Sequence, residues 1–198
     1  MTIEASGIRA FIAIELPDAV KKELGELQKK LSVAPERGIK WVAPDGIHLT
    51  LKFLGGVTPD CIEPVKQALT RATEGIKPFE LEIRNLGAFP NLRRLVMVWC
   101  GLTGDLEHLN QLRKKVEEHI SPMGFPPEKS PFSPHLILER LKENISPMAR
   151  QSLSEKLAAT NYHPGLRIPV TSISLMQSHL LSSGAVYKRL AVFPLKKW

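Results

Sequence analysis

Apolar and polar positions along the chain predict short strands that alternate with amphipathic helices. Arg9–Glu15 is a run rich in Ile, Phe and Ala, as long as a buried strand, and Phe79–Leu86 alternates apolar with charged residues, as a half-buried strand does. A helix is predicted from Asp18 to about Leu31, because Pro17-Asp18 is a helix start and apolar residues follow at helical spacing. The chain therefore carries both kinds of element from its first residues onward.

The remaining segments continue the same alternation. Further strands are predicted at Ile47–Leu54, Leu95–Cys100, His135–Leu141, Ile168–Gln177 and Val186–Val192, and further helices from Pro59 to near Gly75, at Asp105–Ile120 and at Pro147–Ala159. The Gly55-Gly56 pair is expected to break the strand that precedes it. Strands occur in adjacent pairs as well as after helices, so we expect an α+β fold with antiparallel sheets rather than a doubly wound parallel sheet.

Length and composition are those of an ordinary soluble protein. The chain has 198 residues, 43% hydrophobic and 24% charged, which suits one domain with a real core. The N-terminal apolar patch is too short to span a bilayer and lacks a basic segment and a cleavage site, so we expect neither a signal peptide nor a membrane anchor. The two cysteines, Cys61 and Cys100, lack metal-ligand spacing and suit a reducing cytoplasm, and no structural metal is expected.

The net charge of +7 lies entirely in the second half of the chain. Residues 1–90 carry equal numbers of basic and acidic side chains, whereas basic side chains predominate in residues 91–198. Such an asymmetry favours an anionic partner such as nucleic acid, although a solvated basic surface that helps only solubility would have the same composition.

Two segments have matching histidines. Each places a proline-bearing turn ahead of a predicted strand that begins with His-Leu, at His48 and at His135. Because side chains alternate along a strand, His48 shares a face with Thr50, and His135 shares a face with Ile137. If the two halves are related by a pseudo-two-fold axis, the two imidazoles would face each other across a cleft.

A facing pair of histidines suits acid–base chemistry at phosphorus. Opening a cyclic phosphate requires a base that deprotonates water and an acid that protonates the departing oxygen, and histidine can serve as either near neutral pH. A single histidine in a strand is more often a half-buried packing residue. Two in matching contexts make that explanation much weaker, so His48 and His135 are the predicted catalytic residues.

The two segments resemble the two HxTx motifs of the two-histidine (2H) phosphoesterase superfamily. Within it, the chain is similar to the RNA 2′,3′-cyclic phosphodiesterase family, historically called 2′-5′ RNA ligase. One HxTx tetrapeptide is a weak signal, but six matching segments in order form a specific one. They are Arg9-Ala-Phe-Ile-Ala-Ile-Glu-Leu-Pro17, Trp41-Val, His48-Leu-Thr-Leu-Lys-Phe-Leu-Gly55, Gly87-Ala-Phe-Pro90, Phe132-Ser-Pro-His135, and Ser178-His-Leu with Ser183-Gly-Ala-Val-Tyr187.

The resemblance implies a fold, a reaction and a set of roles. It implies one bilobal domain over residues 1–198, with two pseudo-symmetric antiparallel sheets, helices outside and the site in a central cleft, each lobe contributing one histidine strand. It also implies hydrolysis of RNA 2′,3′-cyclic phosphate ends to 2′-phosphate ends without a metal or other cofactor. Matched residue by residue, His48 would donate a proton to the departing 3′-oxygen, His135 would accept one from water, and Thr50 would bind the phosphate.

One position departs from the family pattern. The second motif has Ile137 where the family has threonine, so one of two expected hydroxyl contacts to the phosphate is missing. Losing a hydrogen bond to a charged group costs about 1.5–3 kcal/mol, roughly 10- to 150-fold in rate. Arg140 matches the family's basic residue after the motif, but strand alternation places it on the face opposite His135, so contact would require a twist or a bulge.

Further residues are candidate substrate contacts. Lys52 shares the predicted face of His48 and Thr50, whereas Leu49, Leu51 and Phe53 are expected on the other face. Phe132 could stack on a nucleobase or pack under the proline-rich loop. Arg93 and Arg94 in a turn could meet RNA phosphates, although a solvated turn is the more common explanation of such a pair.

Two other functions use the same residues. The reverse reaction would join a 2′,3′-cyclic end to a 5′-hydroxyl as a 2′-5′ linkage. The third possible function is a non-catalytic RNA-binding module. Ile137 is the only sequence argument for it, and the presence of both His48 and His135 argues against it. We expect RNA or a related nucleotide as partner, no membrane, and a cytoplasmic monomer.

Overall fold

A computed structural model describes residues 7–32, 38–128, 131–142, 144–181 and 184–196. Its four helices are Asp18–Leu31 (α1), Pro59–Thr73 (α2), Leu106–Ile120 (α3) and Pro147–Ala159 (α4). Its strands are Ile8–Glu15 (β1), Ile39–Trp41 (β2), His48–Val57 (β3), Phe79–Phe89 (β4), Met97–Gly104 (β5), His135–Leu141 (β6), Arg167–Val170 (β7), Ser172–Leu181 (β8) and Gly184–Pro194 (β9). None of these described helices is long and apolar enough to cross a membrane.

The strands form two antiparallel sheets, so the predicted α+β class is confirmed. The first sheet has the order β3-β1-β8-β9 and the second has the order β2-β6-β5-β4-β7. The first sheet therefore combines strands from both ends of the chain, and each sheet contains one of the two histidine strands, β3 or β6. Of the paired neighbours among the described strands, only β4–β5 and β8–β9 follow each other without an α-helix between them, and the others are joined through longer segments that contain helices.

The helices and one face of each sheet share a single apolar core. Alternate strand residues such as Ile12 and Leu49 in the first sheet and Val98 and Leu136 in the second are fully buried in it. The helices contribute the apolar stripes that the 3.6-residue period predicts. Because the helices cover only one face of each sheet, the opposite faces are left to carry the histidines.

Local signals set the helix ends. α2 begins with Pro59, whose missing N–H would have no partner in the first turn of a helix. The side chain of Asp105 accepts a hydrogen bond from the backbone N–H of His108 at the start of α3 (3.1 Å), and the Ser146 hydroxyl accepts one from Ala149 N–H at the start of α4. These ends agree with the predicted helices to within two residues.

Two strand predictions needed correction, and one strand was missed. The Gly55-Gly56 pair does not end its strand, since β3 continues to Val57 and both glycines pair with β1. The single strand expected over Ile168–Gln177 is two strands, β7 and β8, which separate at Thr171 and join different sheets. The short strand β2 was not predicted, because three residues carry too little periodicity to be recognised.

Candidate active site

Both histidine strands contain a bulge three residues after the histidine. Along β3, Thr50 pairs with Ala13 and Lys52 pairs with Ile12, so Leu51 is an extra residue. Along β6, Ile137 pairs with Trp99 and Glu139 pairs with Val98, so Leu138 is the extra residue. A bulge reverses the alternation of faces beyond it. The two strands therefore share one backbone design in which the histidine, the residue two positions on and the residue five positions on face the same way.

The bulge in β3 overturns the predicted positions of Lys52 and Phe53. Lys52 pairs with core residue Ile12 and is fully buried, and its ammonium donates to Glu117 Oε2 (2.7 Å) and to the Pro126 carbonyl (2.9 Å). It is a structural residue that joins β3 to α3, and it does not reach the face of His48. Phe53 instead is 60% exposed and lies near Phe11 on the histidine face, with ring centroids 6.2 Å apart.

The bulge in β6 has the opposite consequence for Arg140. Strand alternation alone would place Arg140 away from His135, but the extra residue Leu138 brings it to the same face, where it is exposed. Its buried neighbour Glu139 takes the position that corresponds to Lys52. The bulge that Arg140 needs in order to reach the face of His135 is therefore present.

The two histidines are held in the same way. His48 Nδ1 lies 2.7 Å from the Gly46 carbonyl oxygen, and His135 Nδ1 lies 2.7 Å from the Ser133 carbonyl oxygen, in each case two residues back along the chain. A carbonyl can only accept, so Nδ1 carries the proton in both rings. The Nε2 atom of each ring is thereby left to accept or donate a proton.

His48 is packed between two aromatic rings. Phe11 stacks on the imidazole with centroids 4.7 Å apart, and Tyr187 meets it edge-on at 4.9 Å. Burial lowers the pKa of His48 below its usual value, while the hydrogen bond to Gly46 and the charge of Glu15 act in the opposite direction. His48 is therefore fixed in orientation and less basic than a free imidazole.

A charged cluster lies beside His48 in the first sheet. Glu15 is the cross-strand partner of His48, and its carboxylate accepts two hydrogen bonds from Arg189 (2.7 and 2.6 Å) and one from the Ser174 hydroxyl. Burial alone would raise the pKa of Glu15, but these hydrogen bonds and the Arg189 charge lower it overall. The carboxylate is therefore ionised and places a negative charge near His48 that Arg189 partly neutralises.

His135 has a different aromatic neighbour. The indole of Trp99 meets it edge-on, with centroids 6.2 Å apart. Trp99 can lie against the sheet because its cross-strand partner is Gly87, where a Cβ atom would come within 2.1 Å of the indole. Gly87 is thus required by the close approach of this side chain.

Polar contacts link α1 and the segment after β2 to the bulge in β6. The backbone N–H of Val42, the residue after β2, donates to the Leu138 carbonyl at the β6 bulge (2.9 Å). Gln28 Nε2 of α1 donates to the carbonyl oxygens of Val42 (2.7 Å) and Leu138 (3.0 Å). Burial raises the pKa of Tyr187, and the positive charge of Arg140 partly offsets that rise.

The remaining predicted contacts have mixed outcomes. Thr50 and Ile137 are half-buried at corresponding positions on their strands, two residues beyond each histidine. Phe132 packs against the main core, and the guanidinium of Arg113 lies 4.6 Å from its ring centroid, so one ring face is already in contact with a cation. Base stacking by Phe132 stays a prediction. Ser183, part of the last matching segment, lies outside the described residues.

The sequence patterns did not single out Phe11, Phe53 or Trp99 as site residues. Phe11 lies in an almost entirely apolar run, where nothing distinguishes one face from the other. Phe53 was assigned to the wrong face, because the bulge at Leu51 has no sequence signature. Trp99 could have been suspected from the Gly87-Ala-Phe-Pro90 motif only if its pairing with Gly87 had been known.

The site holds no evident metal cluster within the described parts of the chain. No group of three or more His, Cys, Asp or Glu side chains in those parts could bind a metal ion. The two thiols are free, and burial raises the pKa of Cys100 to about 12, so that thiol is a packing residue.

Comparisons with known proteins agree on one family. The family model described as LigT like Phosphoesterase matches residues 14–99 and 103–187, two consecutive segments that each contain one histidine strand. A protein of Methanothermobacter thermautotrophicus named RNA 2′,3′-cyclic phosphodiesterase is 31% identical over 95% of this chain and 99% of its own length. One of Archaeoglobus fulgidus with the same name is 30% identical over 94% and 99%.

A solved structure supports the same relationship. The crystal structure of E. coli LigT complexed with 3′-AMP has a TM-score of 0.76 and 25% identity, and the match covers 96% of this chain and 98% of that chain. With its two matching histidine strands, its two antiparallel sheets and these end-to-end similarities, the chain belongs to the LigT-like phosphoesterase family.

Proposed function

We propose that the protein hydrolyses RNA 2′,3′-cyclic phosphate ends to 2′-phosphate ends, with His48 and His135 as the acid–base pair. The observation that carries the proposal is the matched presentation of the two rings. Each is held by a hydrogen bond from Nδ1 to the carbonyl two residues back, which leaves Nε2 for proton transfer. Relatives that share the whole length of the chain carry the name of this activity.

The proposed step moves two protons in one displacement. The Nε2 atom of neutral His135 takes a proton from water, and the resulting hydroxide oxygen attacks phosphorus. The bond from phosphorus to the 3′-oxygen breaks, and the Nε2–H of protonated His48 gives its proton to that oxygen. The product has a 2′-phosphate and a 3′-hydroxyl, and proton exchange with water restores both imidazoles. The choice of His48 as donor follows the family resemblance.

Thr50 and Arg140 would hold the phosphate. The Thr50 hydroxyl can donate to a non-bridging oxygen from the face of His48, and Arg140 brings a permanent positive charge to the face of His135. Because the transition state carries more negative charge on these oxygens than the substrate does, both contacts strengthen as the reaction proceeds. Arg140 would thus supply, from five positions beyond His135, the contact that Ile137 cannot make.

A bound phosphate would also prepare His48 to act as a donor. Burial between Phe11 and Tyr187 lowers the pKa of His48 in the free protein. An anionic phosphate close to the ring favours the imidazolium and raises its pKa. His48 would therefore become protonated only when a substrate phosphate is bound beside it.

An assay of the product end tests the proposal. The protein is incubated in EDTA with an RNA that ends in a 2′,3′-cyclic phosphate, and the terminus is identified. We expect a 2′-phosphate, and turnover that depends on an added metal would refute the mechanism. Adding an RNA with a 5′-hydroxyl tests the reverse reaction, which would appear as a 2′-5′ joined product. Binding without turnover that persists in His48→Ala would favour a binding module.

We also propose that the 198 residues act as one domain of two lobes, as a cytoplasmic monomer. All the side chains proposed for the reaction come from a single chain, and both cysteines are free thiols. A sedimentation measurement of the purified protein that shows a dimer at assay concentrations would contradict the monomer.

A further inference from the structure

A groove of about 950 Å³ opens beside Trp99 in the second sheet. Its walls come from the second half of β4, from the turn between β4 and β5, and from the end of α4 with the segment after it. This volume is at the upper end of the roughly 300–1,000 Å³ that is typical of ligand pockets. No residue proposed for the acid–base step or for phosphate binding lines it, so the groove is a separate surface.

Trp99 connects the groove to the reaction site. The half-buried indole lines the groove and also meets the imidazole of His135 edge-on, at 6.2 Å between centroids. Gly87, which also lines the groove, leaves room for the indole to lie against β4. A molecule in the groove that touches Trp99 is therefore one side chain away from the catalytic imidazole.

The chemistry of the walls favours a nucleic-acid strand. Asn85 occupies a bulge in β4 with φ 64°, a left-handed conformation that asparagine tolerates, and it lines the groove with an exposed amide. Arg93 contributes a cation, and Tyr162 and Trp99 contribute aromatic rings. Among the described residues that line the groove, none carries a carboxylate. Aromatic faces, amides and a cation without an opposing acid are the groups that bind single-stranded RNA.

We propose that this groove binds the nucleotides that lie 5′ to the cyclic phosphate, so that the RNA strand leaves the reaction site over Trp99. The inference rests on the proposed function, because it takes the RNA end as the substrate. A mononucleotide fills only the reaction site. A longer RNA also fills the groove, and its extra contacts lower KM, since they are made equally in the bound substrate and in the transition state.

Two neighbouring alanines of α4 provide a matched test. Ala158 is exposed and lines the groove, whereas Ala159 is exposed and is not among the lining residues. Ala158→Glu places a negative charge in the RNA path, Ala158→Gln adds the same bulk without the charge, and Ala159→Glu adds the same charge beside the groove. Both positions lie outside the histidine strands, and all three substitutions are compatible with a helix.

The variants are compared on two substrates, adenosine 2′,3′-cyclic phosphate and a four-nucleotide RNA that ends in the same group. We expect Ala158→Glu to raise KM for the RNA roughly tenfold and to leave kcat/KM for the mononucleotide within about twofold. Ala158→Gln should have a smaller effect, and Ala159→Glu almost none. Equal KM values for the RNA in Ala158→Glu and wild type would overturn the inference.

A binding measurement separates this inference from the proposed function. Fluorescence anisotropy of a labelled four-nucleotide RNA with a terminal 2′-phosphate reports binding without turnover. If the wild type hydrolyses neither substrate, the proposed function fails, and the groove is then judged on this RNA alone. Weaker binding to Ala158→Glu than to Ala159→Glu supports the groove, and equal binding to both contradicts it.

Discussion

The strands β3 and β6 have the same backbone and different side chains. Each begins with a histidine whose Nδ1 is bound two residues back, and each has a bulge at the fourth residue. The side chains differ at three pairs of corresponding positions beyond the histidines. The pairs, with the β3 residue first, are Thr50 and Ile137, Lys52 and Glu139, and Phe53 and Arg140.

The difference indicates how a nearly symmetric frame can hold an asymmetric substrate. The backbone design fixes where the two Nε2 atoms lie, which the reaction requires of both strands equally. The neighbouring side chains then assign unequal tasks, with a hydroxyl and an exposed ring on the side of His48 and a cation on the side of His135. In the proposed mechanism, His48 is the proton donor and His135 the acceptor.

The buried charges at the bulges should have opposite effects on stability. The Lys52 ammonium donates hydrogen bonds to Glu117 and to the Pro126 carbonyl. Lys52→Met would remove both bonds, so the free energy of unfolding should fall by about 3–5 kcal/mol. Glu139 is buried with Oε2 lacking a hydrogen-bond partner among the described residues, and burial raises its pKa to about 7. Glu139→Gln should stabilise the protein by about 1–3 kcal/mol at pH 8.

The pH dependence checks that contrast. Because the folded-state pKa of Glu139 is raised above 4.5, its contribution to stability is fully present below about pH 4.5 and is lost as the pH rises through about 7. Urea unfolding at pH 4.5 and pH 8 should therefore show the gain from Glu139→Gln only at the higher pH. An equal gain at both pH values would show that ionisation of Glu139 is not the cause.

Removing the cation from the β6 side should slow the reaction strongly. Arg140→Met keeps much of the apolar stem but loses the charge, so kcat/KM should fall about 10- to 150-fold, the effect of one hydrogen bond to a charged group. Arg140→Lys should recover part of the loss, because it restores the charge without the planar fork. If Arg140→Met retained full activity, the β6 bulge would have no role in binding the phosphate.

Making the two strands more alike should raise the activity. Ile137→Thr restores the hydroxyl that Thr50 has on the other strand, and we expect roughly a tenfold gain in kcat/KM for cyclic-phosphate hydrolysis. Ile137→Val is the control, since it shortens the same side chain without adding a donor. No gain from the threonine, or an equal gain from the valine, would count against a missing phosphate contact.

The smallest predicted effect concerns the proton of His48. Glu15 favours the imidazolium, so Glu15→Gln should lower the pKa of His48 further. With His48 as the donor, the alkaline limb of kcat/KM then moves to lower pH. Arg189→Met should move it the other way, because it removes the cation that partly neutralises Glu15. A shift of the acid limb instead would make His48 the base.

Much of the fold and part of the site could be predicted from the sequence. The strand at His135–Leu141 and the helix at Pro147–Ala159 were predicted with their observed bounds, because periodicity and end signals coincide there. The two histidines were identified because their contexts match. The bulges at Leu51 and Leu138 were not, since a bulge depends on the register of the partner strand. That is why Lys52, Phe53 and Arg140 were placed on the wrong faces.

The most direct test of the account is the rate of His48→Ala, His135→Ala and the double variant on a 2′,3′-cyclic RNA end in EDTA. Each single change should lower kcat/KM about 10²- to 10⁴-fold, with unfolding curves showing that the variants fold. Because both histidines act in one displacement, the double variant should be little slower than the slower single one. A single variant that keeps the wild-type rate, or losses that multiply in the double variant, would contradict the paired mechanism.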